Sequence, residues 1–227
     1  PVCSFYNYAR AATIGTGSVT VGSRCRADIE GANGYSLRTL VSAAAGAGYA
    51  FITGGTDIDS NQNDGFADLT EFTFVLHFTS DGIIDPDSPG TQNIFAQGPD
   101  PAASGSVSVI LDESSGFVNF SLIDSAAVTH SLTSKTRVGF DGETPMCMIV
   151  TYQSGSQAGP AMQLFVNGVR EDYLQDVTGK VEPDDTPQGI WIGSDEVGTV
   201  GTVFNGKIEE VILYEKCYYI PEDGGKY

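Results

Sequence analysis

The sequence predicts an all-β protein, a two-sheet antiparallel sandwich with a short β-rich arm at its N-terminal end. Three observations carry the prediction. Charged residues make up only 18% of the 227 residues, while Val, Ile, Phe, Tyr and Thr recur in short runs, a composition that suits strands better than disorder or long helices. Those runs are broken at short intervals by Gly, Pro, Asn, Asp and Ser, the punctuation of a sandwich or jelly roll. The segment Phe72–Phe78 reads FTFVLHF, and its alternation puts Phe72, Phe74, Leu76 and Phe78 on one apolar face.

Residues 1–48 come first and differ in charge. Arg10, Arg24, Arg26 and Arg38 against Asp28 and Glu30 give them +2, whereas residues 49–227 carry −20. A boundary is expected near residue 48, where Ser42-Ala43-Ala44-Ala45-Gly46-Ala47-Gly48 reads as a flexible small-residue connector. Before it, Gly15 and Gly17 permit close backbone approach and Val19 and Val21 alternate, so residues 1–48 form an arm with two or three short strands at most. That is too little to bury a core of its own. Strand addition to a partner edge, or burial between subunits of a homo-oligomer, is the expected use of such an arm.

From Tyr49 onward the chain reads as one larger domain. Strands are expected at Phe72–Phe78, Gln92–Ala96, Ser106–Leu111, Phe117–Ile123, Thr136–Phe140, Met146–Tyr152, Met162–Val166, Ile190–Ile192 and Lys207–Tyr214. Asn167-Gly168 between apolar residues marks a two-residue hairpin, whose central positions both need positive φ. Trp191, within Gly189–Gly193, is expected to be buried, and Tyr173 exposed just after the hairpin.

A net charge of −18 and a pI near 4.1 repel phosphate backbones, so nucleic-acid partners are excluded, and anionic membranes are disfavoured. No run approaches the roughly 20 apolar residues of a membrane helix, so no span is expected. Pro1 is what a cytosolic aminopeptidase leaves of a Met-Pro start, although a processed precursor would look the same; cytosolic synthesis is the expectation. Cys3, Cys25, Cys147 and Cys217 form no C-x-x-C pair and have no His nearby, which argues against zinc and redox motifs. Free thiols packed as small hydrophobes are expected in a reducing compartment, and three pairings stand open if they are oxidised.

Four motifs in order carry a family resemblance: Met148-Ile149-Val150-Thr151-Tyr152, Leu164-Phe165-Val166-Asn167-Gly168-Val169, Ile190-Trp191-Ile192-Gly193, and Phe204-Asn205-Gly206-Lys207-Ile208-Glu209-Glu210-Val211-Ile212-Leu213-Tyr214. With Phe72–Phe78 as first core strand, residues 49–220 resemble the concanavalin A-like, laminin G-like (LamG) jelly rolls. The chain departs from many members at Pro145-Met146-Cys147, where Trp-His-His is usual, and at Ile208-Glu209-Glu210, where Ile-Asp-Glu is usual. The resemblance implies a two-sheet antiparallel jelly roll; the family includes lectins, adhesion modules, glycosidases and virion proteins, so it implies no single activity. A second segment, Ala9–Gly22 followed by Gly34-Tyr35-Ser36, is similar to one found in bacteriophage virion and tail-associated proteins.

Chemistry-bearing patterns are sparse. A retaining glycosidase needs two carboxyl groups about 5–5.5 Å apart, most simply supplied by acids two or four positions apart on one strand. Glu209-Glu210, Asp112-Glu113 and Glu171-Asp172 are adjacent and are expected to point to opposite faces; Asp85-Pro86-Asp87 and Glu182-Pro183-Asp184 enclose a proline and belong to loops. There is no G-x-S-x-G elbow, and His77, His130 and Cys147 read as packed or solvated residues. The polar run Asp57-Ile58-Asp59-Ser60-Asn61-Gln62-Asn63-Asp64-Gly65 places oxygen donors at Asp57, Asp59, Asn61, Asn63 and Asp64, a candidate calcium loop. Its plainer reading is a solvated acidic turn.

These observations lead to the expectation of a non-catalytic bacteriophage virion surface protein, a capsid decoration protein or short head fibre. Its arm would dock on capsid or other virion proteins, and its jelly roll would face outward for stabilisation or adhesion. The alternative is a secreted or cell-surface lectin-like module that binds glycans. Glycan-contacting residues are left open at this stage, with an exposed aromatic flanked by amides and carboxylates as the chemistry to look for.

Overall fold

The computed structural model describes residues 19–21, 26–28, 36–39, 50–52, 66, 69–84, 86–87, 89–97, 107–155, 159–181, 190–193 and 203–218, and of the strands before residue 66 the backbone alone. In chain order the strands are β1 (Val19–Val21), β2 (Arg26–Asp28), β3 (Ser36–Thr39), β4 (Ala50–Ile52), β5 (Glu71–Ser80), β6 (Thr91–Gln97) and β7 (Val107–Asp112). They continue as β8 (Val118–Ile123), β9 (Thr129–Thr133), β10 (Met146–Gln153), β11 (Met162–Val166), β12 (Val169–Leu174), β13 (Ile190–Ile192) and β14 (Gly206–Tyr214). No helix occurs among the described residues.

The strands build two antiparallel sheets of seven, one in the order β1-β4-β13-β6-β7-β8-β9 and the other β12-β11-β10-β5-β14-β3-β2. We refer to them as sheet one and sheet two. The three short strands within residues 1–48 contribute to both: β1 pairs with β4 through Thr20 and Phe51, and β3 pairs with β14 through Leu37 and Ile208. Ladder hydrogen bonds thus link residues on either side of the expected boundary near residue 48. The connector Ser42–Gly48 lies outside the described residues.

Strand β5 is central to sheet two, between β10 and β14. Its Phe72, Phe74, Leu76 and Phe78 are fully buried, as their alternation predicts, and register against Tyr152, Val150, Met148 and Met146 of β10. Sheet one answers with Val107, Val109, Leu111, Val118, Phe120 and Leu122. Phe66, ahead of β5, adds an aromatic wedge: its ring meets Phe72, Phe74 and Phe95 edge-on at 5.0, 5.3 and 5.8 Å. Its backbone N–H donates to the buried Gln97 Oε1 at 2.9 Å, which ties the wedge to sheet one. Burying each such aromatic contributes about 1.5–3 kcal/mol.

Strands β4 and β12 add to the expected set, and the assignment between residues 129 and 140 changes. Thr136–Phe140 is irregular, and the neighbouring strand is β9 instead. The reason lies in where the backbone donors go: the amides of Lys135 and Thr136 bond the Glu171 carboxylate, and that of Val138 bonds the Gly116 carbonyl. Strand β9, THSLT, carries one buried apolar side chain, Leu132, and so gave little periodic signal. The hairpin at Asn167-Gly168 forms as predicted, with φ of 50° and 82° and Val166 facing Val169.

Two glycines separate crowding from conformational strain. A Cβ on Gly206 would overlap the Thr79 carbonyl oxygen and lie 2.8 Å from the Phe204 ring, whereas one on Gly168 would meet nothing within 4 Å. Gly206→Ala is expected to destabilise by about 2–3 kcal/mol through overpacking, and Gly168→Ala by about 1 kcal/mol through its positive φ alone. Urea unfolding of both variants checks the order, and the reverse order would contradict this packing.

Candidate functional site

The outer face of sheet two carries the chemistry. Because successive side chains alternate across a sheet, the residues between the buried positions of β5, β10 and β11 point away from the core. Cross-strand register assembles them into rows. The first row is Tyr173 (β12), Gln163 (β11), Thr151 (β10), Thr73 (β5) and Tyr214 (β14). At about 4.8 Å per strand its four gaps span about 19 Å. The second row is Arg170, Phe165, Ile149, Val75 and Ile212, and the third is Cys147, His77 and Glu210.

The first row has an aromatic ring at each end and amide and hydroxyl groups between. Tyr173 is 49% exposed, and the Arg170 guanidinium lies over its ring at 4.9 Å. Arg170 also donates from Nη1 to Gln163 Oε1 at 3.4 Å. Gln163, Thr151 and Thr73 are only 1%, 1% and 4% exposed although they face outward. Over Thr73 the chain after β14 folds back: the Thr73 hydroxyl donates to the Lys216 carbonyl and accepts from the Tyr218 N–H, both at 2.8 Å. The Cys217 N–H donates to Glu71 Oε2 at 3.3 Å, and Tyr218 packs edge-on against Tyr214 at 5.5 Å.

Beside this face, β12 closes the sandwich. A bulge between Leu164 and Phe165 shifts the register of β12, which corrects the expectation that adjacent Glu171 and Asp172 point to opposite faces. Both reach toward sheet one. Glu171 Oε2 accepts from the N–H groups of Lys135 and Thr136 at 2.7 and 3.0 Å, and its Oε1 from the Thr136 hydroxyl. Asp172 Oδ2 accepts from the Thr133 N–H at 2.9 Å. Both carboxylates are spent on backbone donors that sheet pairing leaves over.

Several other acids, and both histidines, have partners of their own. Buried Glu113 accepts from Ile84 N–H, Gly90 N–H and Gln92 Nε2 at 2.6 to 2.8 Å. Asp112 and Asp141 cap turns, and hydrogen bonds from the Thr144 hydroxyl and from the Glu143 and Thr144 amides hold the Asp141 carboxyl down at about 2. Asp124 pairs with His130 at 2.8 Å and takes the N–H groups of Ala126 and Val128. Burial alone would raise its carboxyl, but these donors outweigh it and hold it below the usual range. His77 Nε2 and Glu210 Oε2 lie 4.0 Å apart on the half-exposed outer face.

Cys147 and Cys217 are free thiols, pushed up chiefly by burial and further by Glu210 and Glu71 respectively. Trp191 is buried, as expected. The candidate calcium ligands Asp57, Asp59, Asn61, Asn63 and Asp64 lie outside the described residues. Among the described residues, no group of three or more His, Cys, Asp or Glu side chains is placed to hold a metal ion, and no helix is long and apolar enough to cross a membrane. The exposure of Tyr173 was anticipated; Gln163, Thr151, Thr73 and Tyr214 were not. Their signal lay in the outward positions of strands whose inward positions were already assigned.

This architecture is an all-β, two-sheet antiparallel sandwich. Among solved structures it is similar to the botulinum neurotoxin type G receptor binding domain, at 11% identity over 89% of this chain and 44% of that one, with a TM-score of 0.57. It is also similar to the receptor binding domain of the botulinum neurotoxin C/D mosaic serotype, at 14% identity, the same coverages and a TM-score of 0.59. A third is the binding domain of botulinum neurotoxin DC in complex with rat synaptotagmin II, at 12% identity, again over 89% and 44%, with a TM-score of 0.58. The chain spans less than half the length of these structures, and at these identities the likeness is one of fold. The sequence matches no protein-family profile and no curated protein.

Glu171 and Tyr173 lie two positions apart yet differ in purpose. Glu171→Gln is expected to lower stability by about 1–3 kcal/mol, since a buried cluster of donors loses its carboxylate, and Tyr173→Ala to stay within about 0.5 kcal/mol as an exposed substitution. Thermal unfolding of the two proteins separates the roles. A Tyr173→Ala protein as unstable as Glu171→Gln would make Tyr173 a structural residue.

Proposed function

We propose that this chain is a non-catalytic, lectin-like binding module whose ligand is a glycan on a receptor surface. The observation that carries the reading is the exposed Tyr173 ring, backed by Arg170 and continued by Gln163 and the threonines along one row. A tyrosine face takes the apolar side of a sugar ring, while amides and hydroxyls, each donor and acceptor at once, match its hydroxyl groups. The described carboxylates discussed above are engaged with backbone or side-chain partners, which favours binding over hydrolysis. The receptor-binding names of the similar structures accord with the same reading.

The setting we propose is the surface of a bacteriophage virion, as a capsid decoration protein or short head fibre made in the host cytoplasm. The resemblance carried by the N-terminal segment Thr13-Ile14-Gly15-Thr16-Gly17 supports it. In this reading residues 1–48 dock the jelly roll onto capsid proteins or onto further copies of itself. The second reading, a secreted or cell-surface adhesion module, draws on the same Tyr173 row and differs only in what carries the domain. Two experiments bear on these readings. On a glycan array the full chain should bind at least one class of oligosaccharide, and Tyr173→Ala should lower that binding about tenfold or more, within the range for loss of a stacked aromatic contact. Retained binding would move the site elsewhere, and reducing ends released by the protein would replace binding with hydrolysis. Mass spectrometry of purified phage particles should find the chain; its absence there, with presence in culture supernatant, favours the second reading.

We further propose that the Asp57–Asp64 loop binds calcium weakly, with a dissociation constant of about 10⁻⁴–10⁻³ M. A ligand that binds only the native state raises stability by mass action. Millimolar calcium should therefore raise the melting temperature of the unaltered protein more than that of Asp57→Ala/Asp59→Ala, and equal shifts would leave the loop a solvated turn.

A further inference from the structure

The floor of the first row is buried on the wrong side for a core. Thr73, Thr151 and Gln163 face away from the other sheet, yet each is at least 96% covered. Part of the cover is visible: Glu215–Tyr218 turns back from β14 and lies on the row, pinned at Thr73 by two hydrogen bonds and at Glu71 by a third. The Cys217 thiol sits against the Thr151 hydroxyl, next along the floor. The row's ends are left differently, with Tyr173 open to solvent and Tyr214 under the edge of Tyr218.

We propose that Glu215–Tyr218 is a strap occupying part of the groove that a linear oligosaccharide would fill, and that binding along the whole row requires its displacement. The inference rests on the binding reading above and adds to it the ligand's shape and a built-in competitor. The strap's contacts imitate a ligand's: the Lys216 carbonyl and Tyr218 N–H use the donor and one acceptor site of the Thr73 hydroxyl, the two roles that a pair of neighbouring sugar hydroxyls would fill. Tyr218 packs edge-on against Tyr214 where a terminal sugar ring would rest. With the strap down, a ligand reaches only the Tyr173 end; with it lifted, the row spans about 19 Å from Tyr173 to Tyr214. Apparent affinity for a long ligand is then reduced by the fraction of molecules whose strap is open.

Cys217 reports the strap's position, and Cys147, on the same face but in the third row, is an internal reference. Thr73→Val keeps the branched shape and removes both pinning bonds. Peptide-resolved alkylation should then label Cys217 about tenfold or more faster than in the unaltered chain, as expected for two lost hydrogen bonds, with Cys147 unchanged. Because Thr73→Val also removes a hydroxyl of the floor, affinity is read in Tyr218→Ala, which loses the strap's contact with Tyr214 and should bind linear neutral and acidic hexasaccharides about threefold or more tighter. A hexasaccharide bound by the unaltered chain should itself speed Cys217 labelling, a measurement that holds even if a variant folds poorly. Cys217 labelling unaffected by both Thr73→Val and a Tyr173-dependent hexasaccharide overturns the strap and leaves the binding module standing. Absence of binding by both the unaltered chain and Tyr218→Ala overturns the binding reading and the strap with it.

Discussion

Strand β5 must satisfy two surfaces at once, and the rest of the molecule is arranged around that demand. Its even positions Phe72, Phe74, Leu76 and Phe78 supply the apolar mass that holds the sheets together, while Thr73, Val75, His77 and Thr79 present the other face. A slip of one residue against β10 or β14 would send four large apolar groups to the outside and a histidine and two threonines into the core. Phe66 reinforces the arrangement, since its ring completes an aromatic cluster with Phe72, Phe74 and Phe95 and its amide is tied to Gln97 of the opposite sheet. The outer rows exist because this inner register is so strongly determined.

The open side of the sandwich is closed by carboxylates. At the bulge in β12 two adjacent acids turn the same way, and Glu171 and Asp172 collect backbone donors of Thr133, Lys135 and Thr136 that no strand receives. Bulges commonly re-aim side chains in this manner. The consequence for function is subtractive: a pair of neighbouring carboxylates that could have suggested acid–base chemistry is occupied in holding one sheet edge to the other. Glu113 and Asp124 are engaged in the same way at other turns. On the outer row the Tyr173 ring is left open, while the amide and hydroxyls beside it lie covered.

The sandwich is shared with receptor-binding domains of low identity, so the fold alone distinguishes little. This chain's own features are its outer row and the segment folded over it. A groove whose floor is bonded to the protein's own backbone differs from an open one, because a ligand must compete with contacts already made.

The amino-acid sequence by itself determined the class and most of the strands. Alternation in FTFVLHF, the Asn-Gly turn and the ordered motifs from Met148 to Tyr214 are local signals, each set by steric preference or by period, and each is read without knowing what lies opposite. It also set the expectation against nucleic-acid partners, which follows from charge alone. Tertiary structure decided the rest. Thr136–Phe140 has strand-like composition, but its donors are claimed by Glu171 from 35 residues away, a partner no local pattern can reveal. Glu171 and Asp172 share a side because of one bulge, and period-2 reasoning fails wherever the period is broken. Tyr173, Gln163, Thr151, Thr73 and Tyr214 are spread over 142 positions of chain and become one row only through the register of five strands. A row of this kind is a property of pairing, and pairing between distant strands is set by the packing of the whole sandwich.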